Sequence, residues 1–258
     1  MPQVVVEGRK IAYQANPGSF DPDRLAIILI HGSGGDRDDW HYQLDGSGIS
    51  GHTVIAIELP GHGLSDKPGE IDVARYAHWV EGFVESLNLT KVMIVGCSLG
   101  SAITQTMALN PKPWLKAIGL VGAGARLRVL PELLRSLLEE PNKALEDLAG
   151  YCLSKSASEG QRLALRQKFL KTDPLLVHGD LSACDGFDVI KQVGAIKIPT
   201  LIVVGANDFL TPVKYSKFLN EAIHGSELTV IDNAGHLVMM EQPQAFNSAL
   251  GSFAAGIT

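Results

Sequence analysis

A serine hydroxyl attacks a carbonyl at neutral pH only when a base takes its proton and fixed donors receive the charge that develops. Ser98 stands in a pentapeptide suited to that task, Gly96-Cys97-Ser98-Leu99-Gly100. The apolar run Val92-Met93-Ile94-Val95 before it predicts a buried parallel strand, and Ala102, Ile103, Thr104, Met107 and Ala108 after it have the spacing of a core-facing helix. A strand that turns at once into a helix strains the residue at the corner, and side chains two positions either side would meet the crossing segments. Glycine at 96 and 100 is then a steric requirement, and Ser98 reads as a nucleophile elbow. Alternation along the strand sends Cys97 the other way, into the core.

Three more segments put polar groups just past the carboxyl end of a predicted strand, the edge at which open parallel sheets build their sites. Ile27-Ile28-Leu29-Ile30 runs into His31-Gly32-Ser33-Gly34-Gly35, a glycine-rich loop with backbone N–H groups free to face an oxyanion. Leu201-Ile202-Val203-Val204-Gly205 precedes Asp208, and Leu228-Thr229-Val230-Ile231 precedes Asn233-Ala234-Gly235-His236. The chain order serine, acid, histidine is one that such sites use. Asp232 is the rival acid, ranked lower because a residue four before His236 at a strand end points away from the imidazole. His31 and His62 read as loop anchors. The acidic cluster Asp36, Asp38 and Asp39 reads as a helix N-terminus favoured by the macrodipole. Trp40, which follows the glycine-rich loop, is the tryptophan placed best to touch a ligand, while Trp79 and Trp114 read as packing.

With these residues and the loop Leu59-Pro60-Gly61-His62-Gly63-Leu64-Ser65, the chain resembles the α/β-hydrolase family over nearly its whole length. The resemblance implies an α/β fold with a mostly parallel eight-stranded sheet, flanking helices and an inserted helical cap. It implies Ser98 as nucleophile, His236 as general base and then acid, Asp208 as the carboxylate orienting His236, and the backbone N–H groups of Ser33 and Leu99 as the oxyanion hole. Two positions depart from the family pattern: Glu58 stands where Asp is commoner, and Ser101 where many members have a second glycine.

The elements that must position these groups follow from periodicity. A hairpin of Gln3 to Val6 with Ile11 to Gln14 opens the chain, followed by a strand near Leu25 to Ile30, a short helix around Trp40 to Leu44 and a strand at Val54 to Ile57. Val73, Ala77, Val80, Val84 and Leu87 form one apolar helical stripe. After a strand at Ala117 to Val121 the alternation of strand and helix stops, and residues 126–186 read as leucine-rich helices, far longer than an ordinary connection. The expected organisation is core over 1–125, helical cap over 126–186 and core again over 187–258. Most cap leucines read as packing, with Leu137 expected to face the cleft and line a substrate pocket.

The chain has 258 residues, 45% hydrophobic and 19% charged, a globular balance that one α/β domain with an insertion can hold. A formal charge of -6 argues against nucleic acid or an anionic membrane as partner and for a small-molecule substrate. No apolar run reaches the length of a membrane span and no signal peptide is visible. The three cysteines lack a disulfide framework, which fits a reducing, cytoplasmic compartment, although Cys152 and Cys184 could approach each other. The chemistry calls for no cofactor and no metal. The expected function is hydrolysis of a carboxylic ester with a small or medium apolar acyl group through an acyl-enzyme. The alternatives are a lactone, thioester or carbon–carbon bond hydrolase of the same fold, or a small-molecule receptor that retains the triad.

Overall fold

Runs of β-branched residues without polar interruption can be buried on both faces only in the middle of a parallel sheet, and that is where they lie. The computed structural model describes residues 2–16, 24–45, 49 and 51–257. Its strands are β1 (Gln3–Val6), β2 (Arg9–Ala15), β3 (Ala26–Ile30), β4 (Thr53–Ile57), β5 (Val92–Cys97), β6 (Leu115–Val121), β7 (Thr200–Gly205) and β8 (Glu227–Ile231). They form one eight-stranded sheet in the order β1-β2-β4-β3-β5-β6-β7-β8. The first hairpin and its join to β4 are antiparallel, and every later pairing is parallel. The expected mostly parallel sheet is therefore present. The hairpin turn is tighter than the sequence suggested: Glu7 and Gly8, both at positive φ, make the whole connection, and Val6 pairs with Arg9.

Helices cover both faces: α1 (His41–Leu44), α2 (Val73–Ser86), α3 (Leu99–Leu109), α8 (Val213–Ala222), α9 (Val238–Glu241) and α10 (Pro243–Ala255). Alternation along the strands divides the core. Ile28, Ile30, Ile55, Ile57 and Ile94 pack under α2 and α3 with Tyr76, Val80, Phe83 and Ile103, whereas Ile27, Leu29, Val54, Met93, Val95 and Cys97 pack on the other face with Phe246 and Leu250. Between β6 and β7 the chain leaves the sheet for four helices, α4 (Pro131–Glu139), α5 (Pro141–Cys152), α6 (Glu159–Lys171) and α7 (Pro174–Gly186). The excursion closes where Arg126 bridges Asp188. Proline begins α4, α5 and α7, where a missing N–H costs nothing, and a reciprocal Ser158–Gln161 capping box begins α6.

The turn from β5 to α3 is the tightest place in the molecule. Ser98 has φ 55° and ψ −114°. A Cβ on Gly96 would lie 2.0 Å from the Gly100 carbonyl oxygen, and one on Gly100 would lie 2.4 Å from that of Ile30. These are backbone atoms of the buried first turn of α3 and of the buried strand β3, and they cannot yield. Gly96→Ala should therefore destabilise the fold by ~3 kcal/mol or fail to fold. Gly150→Ala, at an exposed site in α5 with nothing within 4 Å of the added carbon, should stabilise it by roughly 0.5–1 kcal/mol. Urea denaturation of the two variants against the parent checks both signs.

Candidate active site

Ser98 at the elbow, the loop after β3, Asp208 after β7 and His236 after β8 converge above the carboxyl edge of the sheet, as the sequence placed them. His236 Nδ1 lies 2.9 Å from Asp208 Oδ2. Burial alone pushes the Asp208 carboxyl up, but His236 and the Thr211 hydrogen bonds outweigh it and hold Asp208 below the usual carboxylate range. An ionised carboxylate only accepts, so Nδ1 carries the proton and the lone pair of Nε2 is left for another group. His236 and Ser98 line the same small cavity. Among the described residues no protein group hydrogen-bonds the Ser98 hydroxyl, the loose arrangement common before substrate binds. Asp232, the rival acid, is exposed and outside this cluster.

Two residues that the sequence reading missed complete the imidazole's seat. The Thr211 N–H donates to Asp208 Oδ1 at 2.8 Å, and its hydroxyl donates to Oδ2 at 2.7 Å while lying 3.1 Å from His236 Nδ1. Gly122, at φ +50°, backs the ring so closely that a Cβ there would lie 2.9 Å from Nδ1. Asp three residues before Thr, and a glycine directly after a buried strand, were the available signals. The His236 loop is also held from α5: the N–H groups of His236 and Leu237 both donate to the Cys152 carbonyl, at 3.0 and 3.2 Å.

The glycine-rich loop is fixed by charge. Asp180 on α7, fully buried, accepts from the Gly34 N–H at 2.8 Å, His62 Nε2 at 2.9 Å and the Tyr76 hydroxyl at 2.6 Å. His62 Nδ1 faces the Pro60 carbonyl at 3.1 Å, so both ring nitrogens meet acceptors. Burial disfavours a charge on His62, yet Asp180 prevails and raises its pKa. His31 is the opposite case. Burial first, then the neighbouring His62, push it down to about 3. As a neutral ring it donates from Nδ1 to the Gly32 carbonyl at 2.8 Å and accepts the Leu59 N–H at Nε2, 3.1 Å away. Both histidines are loop anchors, as the sequence indicated. Glu58, the departure from the family pattern, pairs with Arg37 and accepts the Leu64 N–H at 2.6 Å.

The Gly34 N–H is thus committed to Asp180 and that of Gly35 to the Gly32 carbonyl, whereas no hydrogen bond to the Ser33 N–H is found among the described residues. The Leu99 N–H begins α3, where the first-turn donors have no intrahelical partner. These are the two amides singled out from sequence.

Two expectations need correction. Trp40 is fully buried and packs on Phe246 with ring centroids 5.9 Å apart, so it belongs to the core and not to a cavity wall. The 3-10 turn Arg37–Trp40 swings the indole under the sheet. Leu137 is 1% exposed and packs among the helices around it, where burying a leucine contributes roughly 1.5–3 kcal/mol. Leu133 and Leu148 face the cleft instead. The acidic cluster does open a helix, with Asp36 capping the 3-10 turn by accepting from the Asp38 N–H, and it does more: Asp39 is buried, and Lys168 of α6 lies 2.6 Å from its carboxylate and 2.7 Å from that of Asp36. All three cysteines are free thiols, so Cys152 and Cys184 are not joined.

Two cavities share Ser98. One, of about 50 Å³, is lined by Gly32, Ser33, Asp39, Phe169 and His236 among others. The second, of about 700 Å³, lies against α4, α5 and α8 and is bordered by Leu133, Tyr151, Phe209, Tyr215 and Phe218. Arg126 and Arg128 border it too, but each is paired, with Asp188 at 3.7 Å and Asp185 at 3.4 Å. No helix among the described residues is long and apolar enough to cross a membrane.

The model of the family described as alpha/beta hydrolase fold matches residues 26–243. The chain is 27% identical over 243 residues to the AB hydrolase superfamily protein YisY of Bacillus subtilis (strain 168), across 88% of this chain and 90% of that protein. It is 27% identical over 244 residues to the pyrrolizixenacetamide deacetylase of Xenorhabdus hominickii, again across 88% and 90%. Among solved structures, a thermophilic esterase matches with a TM-score of 0.86 and 35% identity, covering 100% of this chain and 98% of that one.

The raised pKa of His62 has a stability consequence of definite sign. A histidine whose folded pKa exceeds its unfolded value, about 6.5, stabilises the fold fully below that value and loses the contribution as pH rises through the folded pKa. The melting temperature of the parent should therefore fall more between pH 6 and pH 9 than that of His62→Gln, where Asp180, His31 and Tyr76 remain. Parallel thermal melts at the two pH values measure the difference.

Proposed function

The chain belongs to the α/β-hydrolase fold family, and from that premise we propose that it is a serine hydrolase that cleaves a carboxylic ester of a small molecule through an acyl-enzyme. The reading rests above all on one observation, the His236 ring held by Asp208, Thr211 and Gly122 beside a serine at a strained elbow. The 35% identity to a thermophilic esterase and the match to a deacetylase, proteins named for acyl cleavage, support it.

In this mechanism His236 Nε2 takes the Ser98 proton as Oγ attacks the ester carbonyl, and Asp208 stabilises the imidazolium without itself being protonated. The carbonyl oxygen becomes negative between the Ser33 and Leu99 N–H groups, each worth about 3 kcal/mol of transition-state stabilisation. His236 then protonates the departing alcohol, and a water activated by the same ring releases the acid. The helices of residues 126–186 act as a cap: they cover Ser98 and exclude water with leucines of α5, α6 and α7. Arg126 and Arg128, already paired with aspartates, give no particular support to a coenzyme A thioester.

Ser98→Ala should abolish hydrolysis of p-nitrophenyl acetate by folded protein. Asp208→Asn should lower kcat by roughly 10⁴-fold, because the imidazole then adopts the wrong tautomer, and Asp232→Asn should leave it near the parent value. Steady-state kinetics with circular dichroism as the folding control decides the ranking, and substantial activity in Ser98→Ala would refute the assignment.

A further inference from the structure

The two cavities that meet at Ser98 differ in size and in how exposed the residues around them are. The smaller, about 50 Å³, has less than a tenth of the volume of the larger. In its inner wall Gly32, Gly35, Asp39, Cys152, Leu165 and Phe169 are all buried. The larger, about 700 Å³, has an exposed aromatic rim. Phe209 is 70% exposed and stacks on Tyr151 with centroids 5.6 Å apart, and Leu130 is 71% exposed at the same border. Leu148, Leu181 and Leu210 line both cavities and form the partition between them.

An ester bound at Ser98 must send its two halves to different places. The acyl half stays bonded to Oγ while the other half leaves and water replaces it. A leaving group therefore needs a route to solvent, which the exposed rim of the larger chamber provides. The acyl half needs only a seat beside the oxyanion donors, and Ser33 borders the smaller pocket. The charges at each end set further limits. Asp39 borders the smaller pocket and is already matched by Lys168, so a carboxylate-bearing acyl group would meet a negative wall, and among the described residues lining it there is no lysine or arginine. The arginines of the larger chamber are paired as well, and among the described residues lining it there is no further lysine or arginine to meet a phosphate.

Building on the hydrolase reading above, we propose that the substrate is an asymmetric ester whose short, uncharged acyl group seats in the smaller, buried-walled pocket and whose bulky, hydrophobic alcohol or phenol lies in the larger, aromatic-rimmed chamber. The bond from Ser98 Oγ to the acyl carbon forms as the bond from that carbon to the alkoxy oxygen breaks. The serine proton passes through His236 to the departing oxygen, and water then hydrolyses the short acyl ester on Ser98. Specificity is set by Leu165 and Phe169 on the acyl side and by Tyr151, Phe209 and Phe218 on the alcohol side.

The test is kcat/KM, corrected with Ser98→Ala, for 1-naphthyl acetate, butyrate and octanoate and for ethyl against 1-naphthylmethyl acetate, both of which release an alkoxide. Acetate should exceed octanoate by roughly tenfold or more, the discrimination that a few misplaced methylenes produce, and naphthylmethyl should exceed ethyl. Phe169→Ala, or Phe169→Leu if the alanine variant does not fold, should shift the acyl optimum to longer chains and leave the naphthylmethyl preference intact. Phe218→Ala should do the reverse. Serine-dependent turnover with octanoate equal to or better than acetate overturns this assignment while leaving the hydrolase reading standing, as does a Phe169 variant with an unaltered acyl ranking. Absence of serine-dependent turnover on every ester overturns both.

Discussion

Ser98 is held at positive φ by a turn that admits no side chain at Gly96 or Gly100, and the rest of the site is arranged around that corner. Local strain of this kind, of order 1–3 kcal/mol, persists only where surrounding structure over-determines it. Here the surroundings are buried parallel strands on both sides of β5 and a helix that starts without a linker. The same corner exposes the hydroxyl and leaves the first amide of α3 unpaired by any turn of helix. The Ser98 hydroxyl and the Leu99 amide, which the proposed mechanism uses as nucleophile and oxyanion donor, therefore come from a single steric constraint.

The second layer of organisation is electrostatic, and it comes from the inserted helices. Asp180 of α7 fixes the glycine-rich loop and the His62 loop together, while Lys168 of α6 neutralises the two aspartates that follow the glycine-rich loop. The carbonyl that ends α5 receives the amides of the His236 loop. Buried carboxylates tolerate such positions only when each oxygen is matched, which Asp180 achieves with three donors of different kinds.

The sheet and the convergence of Ser98, Asp208 and His236 were legible because their signals are local. Near-continuous apolar strands announce a parallel sheet, and a polar residue just past each strand end has few places to go. The failures were matters of direction. Trp40 follows the correct loop, but a single 3-10 turn sends its ring toward Phe246, and only the rotation of that turn decides it. Leu133 and Leu137 lie one turn apart on the same face of α4, and how α4 packs against α5 and α7 decides that the first meets the cavity and the second is buried. Asp180, Lys168 and Thr211 are single polar residues in unpatterned surroundings whose partners, the Thr211 contact with Asp208 apart, lie far along the chain.

The anchoring of α5, α6 and α7 bears on how this architecture can diversify. Each of the three supplies a polar group that a different loop of the sheet needs. Removing residues 126–186 would leave the Gly34 amide, the His62 and Tyr76 donors and two aspartates without their partners inside the protein. The insertion is therefore not a cassette that can be exchanged for that of a relative, since a transplanted set of helices would have to bring a carboxylate, a cation and a helix-end carbonyl to the same three points. α4 and the aromatic rim carry no such obligation, which makes them the part of the enclosure free to drift in sequence while the machinery beneath stays fixed.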